Sequence, residues 1–251
     1  MAEALLRVDN LSKRYGALVA VDNVSMQVAD GEVRAVIGPN GAGKTTLFHL
    51  ITGVVPPSTG SVRFAGSDIT GQPPHAICQR GLSRTFQLTS LFPLMSAREN
   101  VMLAAQARHP RRWLPFGGAS VFARARAAGE GALAQLGLSR IADRPAGVLS
   151  HGDQRLLEVA MAMAQEPRVL LLDEPTQGLS VEETAEAVET LAQFLEKARL
   201  TVLLVEHDME VVFRLAHKIT VMHRGGVIAD GTPSAVKADA RVQEAYLGGI
   251  D

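Results

Sequence analysis

Val33-Arg34-Ala35-Val36-Ile37-Gly38-Pro39-Asn40-Gly41-Ala42-Gly43-Lys44-Thr45-Thr46 carries a short apolar strand straight into a glycine-rich turn, and Lys44 to Ile51 continues with helical spacing. Glycines let the backbone turn its N–H groups toward an anion without side-chain clash. The helix that follows adds the positive end of its dipole. The stretch fits G-x-x-x-x-G-K-[ST], a loop that cradles nucleotide phosphates. Gly38, Pro39, Asn40, Gly41, Ala42, Gly43, Lys44, Thr45 and Thr46 form the cradle. Lys44 is placed to reach the β- and γ-phosphates of ATP, and Thr45 to coordinate Mg²⁺. A glycine-rich turn without a ligand is the rival, and the strand before and helix after argue against it.

Outward from this unit the chain reads as α/β. Val169 to Leu172 and Thr201 to Val205 are short and apolar, as central parallel strands covered on both faces would be. Between them Val181, Val188, Leu191 and Leu195 mark one face of an amphipathic helix. Ser61 to Phe64 reads as a strand closed by a turn at Gly66. Ile219 to Met222 and Val227-Ile228 flank Gly225-Gly226 as a hairpin. From about Leu88 to Gln165 no strand is evident. Alanine-rich helical runs, Ala97 to Ala107 and Val121 to Leu136, fill that stretch. It is expected to be a helical subdomain, about 88–165, inserted into a core of 1–87 and 166–251. Each motif occurs once, so the chain is one domain over 1–251 and not a fused pair.

Asp173 follows three leucines, at the end of a buried strand where an unpaired carboxylate would be costly. A hydrated Mg²⁺, held by a carboxylate together with substrate phosphates, explains it better than a surface role. Glu174, one residue on, is expected toward the other face of the strand end, where it could polarise an attacking water.

Composition narrows the partners. The 251 residues carry 25 Lys and Arg against 26 Asp and Glu, so bulk charge gives no reason to expect nucleic acid or an anionic bilayer as the main partner. Cys78 is the only cysteine, which excludes an intrachain disulfide and a cysteine metal site and fits a reducing compartment. The first residues, MAEALLRVDNLSKRY, lack the apolar run of a signal peptide, and no stretch approaches the ~18–20 apolar residues of a membrane span. Arg108-His109-Pro110-Arg111-Arg112-Trp113-Leu114-Pro115-Phe116 interleaves basic and aromatic residues. Its prolines make it a loop, read as a solvated insertion, or more sharply as a contact for lipid headgroups or a permease.

Leu149-Ser150-His151-Gly152-Asp153-Gln154 precedes Val169-Leu170-Leu171-Leu172-Asp173-Glu174-Pro175, and the phosphate loop precedes both. This ordered set resembles the ATP-binding cassette family, the ATPase subunits of membrane transporters. The resemblance implies a P-loop NTPase (RecA-like) core, an antiparallel β subdomain and the inserted α-helical subdomain. It places Ser150 and the Gly152 N–H on the γ-phosphate held by an opposite subunit. His151 and Asp153 depart from the commonest Leu-Ser-Gly-Gly-Gln, replacements that branched-chain amino-acid and urea-type importers accept. Gln87, in Arg84-Thr85-Phe86-Gln87, is similar to the glutamine that binds Mg²⁺ or the water. His207 matches the switch histidine on the γ-phosphate, and Tyr15 the aromatic that stacks on adenine, with edge-strand packing as its rival. Ser180 stands where the family has an aspartate in Gln177-Gly178-Leu179-Ser180.

Arg84-Thr85-Phe86-Gln87 with Leu91-Phe92-Pro93, the insertion after Glu99-Asn100-Val101, and Gly231-Thr232-Pro233 with Tyr246-Leu247-Gly248 resemble the longer ATPase of branched-chain amino-acid importers. Urea and amide importers share these markers, and the lipopolysaccharide-export ATPase has a similar ending. The resemblance implies ATP and Mg²⁺, two half-sites completed head-to-tail by a second ATPase subunit, usually a shorter paralogue, with a homodimer open to the isolated chain. It implies two transmembrane permease subunits, an external solute-binding protein acting indirectly, no nucleic acid, and a peripheral place at the cytoplasmic face of the inner membrane. A non-transport cassette ATPase is the rival outside transport.

Overall fold

The computed structural model describes residues 4–85, 91–108 and 118–247. They fall into two units, Met1–Ile77 with Arg199–Asp251, and Cys78–Ala198.

In the first unit β1 (Leu6–Tyr15) and β2 (Leu18–Val28) form an antiparallel pair joined through Gly16, whose φ of +60° suits a tight turn. Alternate residues Leu6 and Val8 of β1, and Val24, Met26 and Val28 of β2, are buried, the period-2 pattern of a sheet with one covered face. β3 (Val33–Ile37) is buried at all five positions and runs directly into the glycine-rich turn and α1 (Lys44–Ile51). β4 (Thr59–Phe64) and β5 (Ser67–Asp68) complete the antiparallel sheet in the order β2-β1-β4-β5. α2 (Pro74–Gln79) closes this part of the chain.

The second unit holds β6 (Leu82–Arg84), α3 (Ala97–Arg108), α4 (Gly118–Gln135), α5 (His151–Met163), β7 (Val169–Asp173) and α6 (Val181–Ala198). β6 and β7 pair in parallel. No strand lies among the described residues of 91–165, where the alanine-rich runs form α3 and α4. α6 buries Val188, Leu191 and Leu195 as the spacing predicts, with Ala187 and Phe194 beside them. Val181 departs from that stripe at 83% exposed: it opens the helix, well before Ala187, where the covered face begins.

The chain returns to the first unit through β8 (Thr201–Val205), α7 (Met209–Leu215), β9 (Lys218–His223), β10 (Gly226–Gly231), α8 (Pro233–Ala238) and α9 (Ala240–Leu247). β3 lies between β8 and β9, parallel to both, and β10 returns antiparallel beside β9 through the expected glycine hairpin. Ala35 and Ile37 pack with Val212, Ile219, Val221, Val236 and Val242, so α7, α8 and α9 cover one face of this sheet. Arg34, 2% exposed, would be prohibitive there without partners. Its guanidinium donates to Glu32 at 2.8 Å, to Thr220 at 2.9 Å and to Asp230.

Asn100 organises the start of α3. Fully buried, it accepts the Phe92 N–H at 2.8 Å and donates to the carbonyls of Phe92 at 3.1 Å and Ser96 at 2.9 Å. An apolar replacement leaves those backbone groups dry and unmatched. Asn100→Ala is therefore expected to cost about 2–3 kcal/mol in chemical denaturation, and a loss below about 0.5 kcal/mol would remove this clamp from the reasons the segment folds.

Candidate functional site

The first unit presents the glycine-rich turn. Gly38 has φ +151°, and a Cβ there would meet the Met222 carbonyl at 2.1 Å. Gly43 has φ +100°, and its Cβ would meet the Ala20 carbonyl at 2.4 Å. Both positions exclude any side chain, so this turn owes its path to glycine. α1 then begins at Lys44 with no side-chain cap and no acidic residue in its first turn. That leaves the positive helix end to an external anion. Lys44 is buried and its Nζ donates to the Gly38 carbonyl at 2.6 Å and the Pro39 carbonyl at 3.1 Å. Asn40 and Gly41 are exposed, whereas Thr45 and Thr46 are half-buried.

His207 belongs to the same end of the same sheet. Val36 of β3 faces Val205 of β8 in the parallel register, so Gly38 and His207 each follow two residues later on neighbouring strands. His207 is exposed, and its backbone N–H donates to the Glu206 carboxylate at 3.0 Å. Tyr15 ends β1 with its ring 47% exposed and the Lys13 ammonium 5.1 Å from the ring centre. A half-exposed ring with a cation at its face is open to stacking more than it is packed.

The second unit holds the acidic pair and the serine-glycine turn. Asp173 is buried at the end of β7, with Oδ2 at 2.5 Å from Arg84 Nη2. Oδ1 is also buried and has no hydrogen-bond partner among the described residues. The Asp173 N–H donates to Thr85 Oγ1 at 3.2 Å. Glu174, 6% exposed, has φ +50°. It is the first residue of a left-handed bend and not the next residue of the strand, so strand alternation does not set its direction. That conformation costs a non-glycine residue about 1 kcal/mol, a strain that concentrates at functional positions.

Ser150 caps α5, its Oγ accepting the Asp153 N–H at 3.1 Å. The hydroxyl hydrogen remains to donate elsewhere. Gln154 pins the turn from behind, donating to the carbonyls of Ala146 and Leu149 at 3.2 Å each. Gly152 is buried and its N–H meets Glu183 Oε1 at 3.5 Å. Ser180 and Glu183 form a reciprocal capping box at the head of α6, with the Ser180 N–H on Glu183 Oε2 at 3.1 Å and the Glu183 N–H on Ser180 Oγ at 3.2 Å. Serine in place of aspartate thus keeps an N-cap. The Ser180 N–H first, then the Gly152 N–H and the charge of His151, hold the Glu183 carboxyl below the usual range.

Gln87 and most of the basic loop (109–117) lie outside the described residues. Arg108 ends α3 and donates to the carbonyls of Gln165 and Glu166, beyond α5, which takes it out of the interleaved basic run. Cys78 is half-buried with its Sγ on Gln165 Oε1 at 2.9 Å; burial pushes the thiol up, away from thiolate chemistry. No three His, Cys, Asp or Glu side chains converge as a metal cage among the described residues.

Sequence reasoning gave Arg84 and Tyr246 no role beyond their place in family markers, and it passed over Glu183. Only Glu183 left a signal, through Ser180-x-x-Glu183, the capping-box pattern. Tyr246 sits four residues after Val242, on the face of α9 whose cluster includes Ile37, and its hydroxyl engages the Gly38 backbone. Burial raises the phenol from 10.0 to about 12, with the Gly38 hydrogen bond opposing the rise. A phenol that keeps its proton more tightly when folded stabilises the docked helix fully below pH 10.0 and loses that contribution as pH climbs through about 12. The phenolate absorbance difference between the protein and Tyr246→Phe should accordingly have its midpoint near 12; a midpoint near 10.0 would mean that the ring is not buried against the fold.

The chain is similar to known proteins over nearly its whole length. A family model described as ABC transporter matches residues 21–177, and one described as branched-chain amino acid ATP-binding cassette transporter matches 227–251. The chain is 41% identical over 254 aligned positions, covering 99% of both proteins, to the high-affinity branched-chain amino acid transport ATP-binding protein BraF of Pseudomonas aeruginosa. A crystal structure of the ADP conformation of an ATP-binding cassette of an ABC transporter superposes with a TM-score of 0.85 at 31% identity, covering 98% of this chain and 100% of that one. A dimeric post-hydrolysis cassette bound to ADP and Pi aligns with a TM-score of 0.74 at 25% identity, covering 91% and 98%.

Proposed function

The chain belongs to the ATP-binding cassette transporter family, and we propose that it is the ATP-hydrolysing subunit of an importer that takes up branched-chain amino acids or related small polar solutes. The observation that carries the cargo class is similarity over 99% of both chains to BraF, a branched-chain amino acid transport ATP-binding protein. No helix among the described residues is long and apolar enough to cross a membrane, so in this reading two permease subunits do the spanning. The helical stretch, about 88–165, with Gln87 at its junction, relays the state of the nucleotide to them.

In this reading the adenine stacks on Tyr15 and the phosphates enter the cradle Gly38–Thr46. Lys44 exchanges the Gly38 and Pro39 carbonyls for phosphate oxygens, a trade of neutral acceptors for charged ones. Thr45 and Asp173 are the residues that would hold Mg²⁺, with Gln87 beside them. The buried Oδ1 of Asp173, unmatched among the described residues, fits such an ion. When bound, the ion supplies charge neutralisation at the phosphates. Glu174 accepts a proton from the attacking water, and His207 donates to the γ-phosphate.

Ser150 and the Gly152 N–H, at the head of α5, complete a companion subunit's site, so a dimer is the working unit. A shorter paralogue is the expected companion in the cell, and the dimeric relative with ADP and Pi supports that mode of association. The assembly sits at the cytoplasmic face of the membrane, and an external binding protein delivers the solute.

Two substitutions test the chemistry. Glu174→Gln should bind ATP normally while losing about 10²–10⁴ in turnover, read by phosphate release; undiminished turnover would remove Glu174 from the reaction. Lys44→Ala should weaken ATP binding by about tenfold to a hundredfold in calorimetry, and unchanged affinity would overturn the assignment of the cradle.

A further inference from the structure

Arg84 and Asp173 end the paired strands β6 and β7, with Arg84 opposite Leu171 in the parallel register. The guanidinium meets the carboxylate at 2.5 Å, and the two side chains are 7% and 0% exposed. The next residue grips the same aspartate by its backbone. Thr85 Oγ1 accepts the Asp173 N–H at 3.2 Å, while the Thr85 N–H donates to the Leu171 carbonyl at 2.9 Å. Two consecutive residues therefore hold one aspartate, Arg84 at Oδ2 and Thr85 at the backbone N–H, and neither meets Oδ1.

A buried ion pair is a weak source of stability, since apolar groups of similar volume often do as well. Removing one partner is another matter, because the survivor is then an uncompensated charge in a dry place. A pair retained at the end of an apolar strand, with one oxygen left unmatched, makes sense where a second cation visits. Charge-assisted contact also fixes the carboxylate's rotation, so the direction of the remaining oxygen is set before any ion arrives.

We propose that Arg84 is the resident counter-cation of Asp173, a positioning residue that holds Oδ2 and leaves Oδ1 as the oxygen offered to a hydrated Mg²⁺ arriving with the nucleotide. This rests on the reading of Asp173 as the metal-side carboxylate. Two consequences of opposite sign follow. Without metal, Arg84 keeps Asp173 from being a lone buried anion. With metal, its positive charge opposes the incoming ion, so the protein trades some metal affinity for an empty site that stays intact.

Arg84→Met and Arg84→Lys separate this from packing. Thermal unfolding is followed without nucleotide and again with saturating ADP and Mg²⁺, and Mn²⁺ affinity is read by electron paramagnetic resonance in the presence of ADP. Arg84→Met is expected to lower the midpoint of the metal-free protein by about 5–10 °C, and saturating Mg²⁺ with ADP should close more than half of that gap. The same variant should bind Mn²⁺ about tenfold more tightly, with Arg84→Lys close to the parent in both measurements. A gap of equal size with and without metal, or unchanged or weaker Mn²⁺ binding, would overturn the proposal. If Arg84→Met does not fold, Arg84→Gln against Arg84→Lys gives the same affinity comparison, and equal Mn²⁺ affinity in those two contradicts it. Asp173→Asn tells the two readings apart. If it leaves Mn²⁺ binding unchanged, Asp173 itself is not the metal-side carboxylate; if it weakens binding while Arg84→Met changes nothing, only the role of Arg84 falls.

Discussion

A charged or strongly polar group in a dry place must have a partner at all times, including the times when its functional partner is absent. This constraint orders the groups that the function needs. Lys44 rests on the Gly38 and Pro39 carbonyls, Asp173 Oδ2 on Arg84, and the Gly152 N–H on Glu183. Each of these three contacts is made by a neighbour from the same unit. In the proposed reading a nucleotide exchanges these partners for its own phosphates. The net gain of each exchange is small beside its gross strength, so modest differences decide which set is occupied.

The placeholders are local, and they tie ligand chemistry to particular pieces of chain. Glu183 joins the head of α6 to the turn at Gly152, so releasing the Gly152 N–H acts on the same carboxylate that caps α6 at Ser180. Tyr246 touches the backbone of Gly38, which links the last described helix to the first glycine of the cradle. Arg84 and Thr85 lead in sequence to Gln87, the residue expected to bridge core and insert. A subunit of a transport machine needs such links, because the state of its nucleotide has to be felt elsewhere. Two-state exchange of hydrogen-bond partners is a physical means of doing so.

Much of this was legible from residues alone, for identifiable reasons. The strand Val33–Ile37, the turn and α1 follow from apolar run, glycine and helical spacing, and all three lie where the pattern puts them. The hairpin at Gly225 and the alanine-rich helices were equally direct. Val181 misled because periodicity says which face a residue shares but not where along a helix burial begins. The direction of Glu174 is not legible from strand alternation, because the alternation ends with the strand, and a left-handed residue that is not glycine leaves no mark in composition. Arg84 was invisible as a partner: it stands far from Asp173 in sequence, and only the parallel pairing of β6 and β7 brings them together. The capping role of Ser180 could have been read from Ser180-x-x-Glu183, had the comparison with aspartate not drawn attention to what serine lacks.

The half-site arrangement can be tested in one structure, that of the Glu174→Gln protein with its companion subunit and Mg²⁺ with ATP. The Ser150 hydroxyl of one subunit should lie about 3 Å from a γ-phosphate oxygen of the nucleotide bound by the other, with the Gly152 N–H turned from Glu183 to the same phosphate. A closed, ATP-loaded complex in which Ser150 remains only the cap of its own helix, remote from any nucleotide, would contradict the claim that each chain finishes its partner's site.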